Sequence, residues 1–202
     1  MAEMGTLHEA FVEELRDTYD AEKQLTKALP KMVKAASSPD LREAFETHLE
    51  ETRQQVQRLE QVFASIEEKA RGKHCEGMAG IIQEAQSMMQ EEFDEATADA
   101  VMIASAQRVE HYEIAAYGTL VAWARVMGHE EAADLLQETL DEEKAADEKL
   151  NMLAEGGINE QAAEGAHMDE EEEEEAEPVG AGSSRRSSSS SSARASASAR
   201  RR

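Results

Sequence analysis

Two stretches of this chain, 91 positions apart, carry the same pattern without a gap. Leu29 falls on Leu120, Leu49 on Leu140 and Leu59 on Leu150, while Glu22 falls on Glu113 and Glu51 on Glu142. Even the turn residues coincide, with Ser37 on Gly128. Within the first stretch, Leu7, Phe11, Leu15, Leu25, Leu29 and Met32 form one series at helical spacing, and Leu41, Phe45, Leu49, Val56, Leu59 and Phe63 form another. Apolar residues three or four positions apart lie on one face of an α-helix, so the repeating unit is a pair of amphipathic helices. A hairpin used twice relates its copies by a pseudo-two-fold axis, which brings equivalent residues face to face at the centre of the assembly.

Helices are predicted over 6–36, 39–69, 96–127 and 130–155, each longer than about 25 residues, or about 37 Å at 1.5 Å per residue. A shorter amphipathic segment over 78–93 serves as the crossover between hairpins. Pro30 is expected to kink the first helix or displace a backbone bond. The SSPD at 37–40 ends that helix and caps the next, RGKHCEG breaks the chain again, Gly128 stops the third long helix, and Gly156 and Gly157 stop the fourth. Aromatics make up only 4% of the chain, and Ala, Leu, Glu, Gln and Met dominate residues 6–155. The fold class is therefore all-α. Two helical hairpins with a short crossover helix is the arrangement of a ferritin-like four-helix bundle, here expected over residues 1–163. Residues 164–202, an acidic run followed by a Ser/Arg-rich stretch, hold too little apolar surface to offset ordering entropy and are expected to be a disordered tail.

The chain holds 44 acidic against 21 basic side chains, for a formal charge of −23. From Met168 onward there are eight acids and six arginines, so nearly all of the excess lies on the helical body. Such a surface repels phosphate, and no nucleic acid is expected to bind through the folded body. No run of about 18 apolar residues exists to span a membrane. The first 20 residues lack the basic start and apolar stretch of a secretory signal, which with the single Cys75 makes a cytoplasmic setting the expectation. Cys75 itself reads as incidental.

Two glutamates occupy positions where leucine is expected. Glu22 lies seven residues after Leu15 and three before Leu25, and Glu113 lies four after Val109 and seven before Leu120. A carboxylate facing a bundle interior is costly unless it is paired or bound to metal. Two of them related by a repeat suggest a shared partner. His48 and Glu51 lie three apart and converge on one point, and on the fourth helix Glu142, Glu143 and Asp147 offer further oxygens. The candidate ligands are thus Glu22, His48, Glu51, Glu113 and Glu142, a hard, oxygen-rich set suited to iron or manganese in a dinuclear or single-metal site. Glu110, one turn from Glu113, is a further ligand or an acceptor behind the ligands. Tyr112 or Tyr117 offers a phenol near the centre. The competing reading pairs the central acids with Arg16, Arg53 or Arg108 in a metal-free bundle with a structural or protein-binding role.

DTYDAEKQLTKALPKM, HLEETRQQVQRLEQVF, AQRVEHYEIAAYGTL and LDEEKAADEKL closely resemble the ferritin-like YciE/YciF stress-protein family, in order from Leu7 to Leu153. The resemblance implies a rubrerythrin-like bundle, a homodimer and a dinuclear metal site; if that site is active, analogy points to reaction with peroxide or O2. The chain departs from the wider ferritin-like Glu-x-x-His motif, because Gln54 stands three after Glu51 and Ala145 three after Glu142. The histidine instead precedes, as His48-x-x-Glu51, and Thr139 is its repeat equivalent.

Overall fold

The helices begin where side-chain caps meet apolar stripes. Thr6 opens α1 (Leu7–Ala35): its hydroxyl accepts from the Glu9 N–H, and the Glu9 carboxylate accepts from the N–H groups of Gly5 and Thr6. Ser38 caps α2 (Pro39–Ser65), with proline in its first turn where no intrahelical donor is needed. Cys75 caps α3 (Glu76–Met88), Asp94 caps α4 (Glu95–Met127), and α5 (Glu130–Leu153) follows directly after Gly128 and His129. Gly128 sits at φ 78°, a left-handed conformation that glycine adopts without strain. The computed structural model describes residues 5–165, so 166–202 of the expected tail lie outside the described residues.

Pro30 displaces a backbone bond of α1 as expected, without ending the helix, and boundaries further along the chain differ from the sequence expectation. α1 runs unbroken through Pro30, which sits on the exposed side; there the Thr26 carbonyl that loses its donor can be met by water. α2 stops at Ser65 rather than near residue 69, because Glu67 turns the chain at φ 57°. The loop that follows lies alongside α1, held by Lys73 N–H to the Arg16 carbonyl and by Cys75 N–H to the Asp20 carboxylate. The glycine pair at 156 and 157 does not end the helical path. A π-helical turn (Ala154–Ile158), with Gly157 at φ 130°, leads into helical residues 159–165. That turn buries Ala154 and Ile158 in the same cluster as Leu150, and apolar burial outweighs the local preference to stop.

Helix α1 packs on α2 and α4, and α5 packs on α4 and α2, closing a four-helix ring. The crossover α3 lies against α1 and α4. Two apolar clusters fix the directions. One joins the end of α1 (Leu25, Leu29, Met32) to the start of α4 (Met102, Ile103, Ala106), and the other joins the start of α1 (Phe11, Leu15) to the end of α4 (Leu120, Val121, Ala124). The two hairpins therefore run antiparallel, as a pseudo-two-fold repeat requires, and the protein is an all-α ferritin-like bundle of two hairpins. Asp99 of α4 locks them together by accepting from the N–H groups of Ser37 and Ser38 at 2.9 and 2.7 Å. No helix among the described residues is long and apolar enough to cross a membrane.

Between the two clusters every long helix breaks its apolar stripe. The α1 stripe reads Phe11, Leu15, Thr18, Glu22, Leu25, Leu29, Met32, and the α2 stripe reads Leu41, Phe45, His48, Thr52, Gln55, Leu59, Val62; all are buried. On α4 the interruption is Glu110 and Glu113, and on α5 it is Thr139 and Glu143. Each interruption forgoes the roughly 2 kcal/mol that a buried leucine would contribute. A belt of polar groups thus crosses the bundle at mid-height.

Candidate metal centre

Four of the belt residues come together. One ligand atom from each of His48, Glu110, Glu113 and Glu143 lies within 4.8 Å of every other, and all four residues are buried. The His48 Nε2 atom is 3.4 Å from Glu110 Oε1 and 3.8 Å from Glu143 Oε2. Glu22 is buried beside this group and accepts a hydrogen bond from the phenol of Tyr117, which is itself fully buried. Of the two tyrosines named from sequence, Tyr117 enters the belt. Tyr112 turns away from the belt and under α3, its hydroxyl 3.0 Å from Cys75 Sγ and 3.1 Å from Asp17 Oδ2, over Gly77, where a Cβ would come within 2.8 Å of the ring. Cys75 is thus a cap and a tyrosine partner, with burial pushing its thiol pKa up.

Glu142 and Glu51 stand outside the group. Both oxygens of Glu142 accept from Arg58, at 2.8 Å each, and Gln55 adds a third donor at 3.0 Å. Arg58 also donates to Thr139 at 2.8 Å and to Glu138 at 2.7 Å. Glu51 lies half exposed, with its Oε2 3.6 Å from His48 Nδ1. Arg16, Arg53 and Arg108 do not reach the central acids: they pair with Glu13 and Glu68, with Glu50, and with Glu84. Asp147 faces His111 and Gln107 rather than the belt.

The charge state of the belt follows from burial. Desolvation raises the carboxyl pKa of Glu22 to about 8, with neighbouring Glu143 adding to it and the Tyr117 hydrogen bond opposing it. Burial likewise raises Glu110, Glu113 and Glu143. Burial of the His48 ring opposes its charge, but the carboxylates of Glu110, Glu51 and Glu143 outweigh that and lift it to about 10. Both kinds of shift act in one direction on stability. The folded protein holds protons that the unfolded chain has released, so metal-free stability falls as pH rises, for Glu22 between 4.5 and about 8 and for His48 between 6.5 and about 10. Denaturant unfolding in chelator at acid, neutral and alkaline pH is expected to show a steady loss from about pH 5 to about pH 9. A level or rising profile would mean that these groups do not titrate as buried.

What marks the group as more than an ion-pair network is its unsatisfied atoms. Both carboxylate oxygens of Glu113, one oxygen each of Glu22, Glu110 and Glu143, and both ring nitrogens of His48 are buried without a hydrogen-bond partner. Buried polar atoms are rarely left so, and several converging on one point fit a cation ligated by oxygen and imidazole. The pseudo-two-fold mates of His48, Glu110 and Glu143 are Thr139, Tyr19 and Thr52, none of which is free: Thr139 accepts from Arg58, Tyr19 donates to Glu60, and Thr52 donates to the His48 carbonyl. The residues able to ligate a cation are thus concentrated in one of the two symmetric positions.

Residues 6–163 match the family described as a domain of unknown function, DUF892. The protein YciF of Escherichia coli is 47% identical over 160 residues, covering 79% of this chain and 96% of YciF. The crystal structure of that stress protein superposes with a TM-score of 0.75, covering 77% of this chain and 99% of YciF. YcfI from Rhodopseudomonas palustris, 46% identical, superposes with a TM-score of 0.73 over 74% of this chain and 96% of its own. A protein from Xanthomonas campestris, 23% identical, shares the fold at a TM-score of 0.64, over 80% of this chain and 99% of its own. With matching sequence, matching fold and a match over most of its length, the chain belongs to the DUF892 family, alongside YciF.

Proposed function

We propose that this protein is a stress-response member of its family that binds iron or manganese through His48, Glu110, Glu113 and Glu143, with Glu22 held in reserve beside them by Tyr117. The observation that carries the reading is the convergence of unpartnered carboxylate and imidazole atoms in an otherwise well-packed core. A bound ion would supply one-electron redox chemistry toward peroxide or O2. The chain's own part is to release protons from the carboxyls as the ion binds, to close off the belt from both ends of the bundle with the two flanking apolar clusters, and to fix the ligand helices through the Asp99 lock. A cytoplasmic homodimer is part of the same proposal, from the resemblance and the single buried cysteine.

Elemental analysis of the full chain, loaded anaerobically with Fe(II) or Mn(II) and desalted, is expected to give about one metal per chain, because a single position carries the ligand set. Two per chain would mean that Glu22 and Glu113 recruit a second ion, the dinuclear form that the resemblance implies. No metal at all would favour the second reading, a metal-free structural bundle. That alternative draws on the Arg58 network, which neutralises Glu142 by protein contacts alone, and on the relative YcfI, itself proposed to be structural.

A further inference from the structure

The centre is buried, yet one side of the bundle leads to it. A cleft of about 710 Å³ opens between α2 and α5, with His48 and Glu110 on its floor and Glu51, Glu142 and Asp141 among its walls. Ala44, Ala145 and Ala146 line it too, and their small side chains leave the space open. The opposite α1–α4 face is covered by α3, whereas among the described residues this cleft is open.

From the mouth of this cleft to the centre behind it, carboxylate and imidazole side chains form a descending series. Side-chain exposure falls from 38% at Glu51 and 26% at Glu142 to 8% at His48, 3% at Glu110 and 0% at Glu143. Both nitrogens of His48 and one oxygen of Glu110 lack hydrogen-bond partners. A hydrated divalent cation moving inward would trade its waters for protein oxygens one step at a time, without a large desolvation penalty at any one step. Glu142 is clamped by Arg58 through both oxygens, whereas the polar contact of Glu51 among the described residues is His48 at 3.6 Å. Of the two carboxylates at the cleft wall next to the centre, Glu51 and Glu142, Glu51 is therefore the one free to swing. We infer that the α2–α5 cleft is the uptake route for a divalent transition-metal ion and that Glu51 is its transfer residue, capturing the ion at the mouth and passing it to His48 and Glu110. The inference rests on the metal-centre reading above.

The test follows Co(II) uptake by the metal-free full-length protein in a stopped-flow instrument, using the visible bands of the bound ion. Wild type is compared with Glu51→Gln, Glu51→Lys and, as a control on α3, Glu84→Gln. Circular dichroism and thermal melting confirm that each variant folds. Glu51→Gln is expected to slow uptake about tenfold and Glu51→Lys further, with the amount bound at equilibrium unchanged, while Glu84→Gln matches wild type, since a charged mouth raises association rates by about 10 to 1,000-fold. Uptake by Glu51→Gln at the wild-type rate would overturn the route. Loss of bound metal at equilibrium would overturn it differently, making Glu51 a permanent ligand. Failure of wild type itself to bind Co(II), Fe(II) or Mn(II) would remove the metal centre, and the route with it.

Discussion

Replacing Glu113 by leucine is expected to raise the stability of the metal-free protein by about 2 kcal/mol and, in the same variant, to abolish metal retention. Glu113 lies on the α4 stripe with both carboxylate oxygens buried and unpartnered, so in the absence of an ion it contributes a desolvation cost and no compensating bond. Leucine has similar volume and belongs to the pattern on either side, where Val109 and Leu120 are already core. Removing a buried polar group in favour of a matched apolar one is neutral or stabilising, whereas removing one half of a satisfied pair is not. For a body of this size the change corresponds to a rise in melting temperature of about 4 to 8 °C. Metal loading should reverse the order, since the wild type gains the binding free energy and the variant does not. Thermal melts of both proteins with chelator and with Mn(II) measure the two effects together. A Glu113→Leu protein less stable than wild type in chelator would show that Glu113 makes bonds which its surroundings do not reveal.

Much of this arrangement is legible in the amino-acid sequence, and particular residues show where legibility ends. The stripes of α1 and α2 run in alternating threes and fours, and that regularity alone implies long helices packed along one seam. Glu22 and Glu113 stand out because two independent patterns, the stripe and the 91-residue repeat, agree on them. On α5 the patterns disagree. The repeat points to Glu142 as the mate of Glu51, while the stripe points to Glu143, seven after Leu136 and seven before Leu150. The structure puts Glu143 in the belt and Glu142 at Arg58, so the stripe is the better guide. A repeat reports equivalent backbone positions, but a site built in one half need not be copied in the other; the mate of Glu143 is Thr52.

Glu110 carries the same kind of signal, three before Glu113 and seven after Ile103. Arg58 carries none. It sits next to Leu59 and looks like any charged residue beside a stripe, and it becomes buried because Thr139 and Glu142 meet it across the α2–α5 seam. The cleft is equally invisible in one dimension. It depends on small side chains from separate helices facing each other, and on which pair of helices the crossover leaves uncovered.

Replacing Arg58 by methionine should cost about 3 kcal/mol of folding stability while leaving metal binding intact. Methionine keeps most of the packing volume of the arginine stem and removes the guanidinium. The loss falls on a connected set: Thr139 is left without a donor, and Glu142 keeps Gln55 alone of its three hydrogen bonds. The bond to Glu138 adds little, because that carboxylate is mostly exposed and water replaces it, which holds the figure at the lower end for a broken buried pair. Arg58→Lys should recover part of the loss, since an ammonium cannot span Thr139 and both oxygens of Glu142 as a planar fork does. The direction of the metal result separates two roles for Glu142. Bound only to Arg58 and Gln55, it is a structural anion of the α2–α5 seam, and metal stoichiometry survives its release. If instead Arg58→Met lost its metal at unchanged stability, Glu142 would belong to the centre and the arginine would be there to hold it in place.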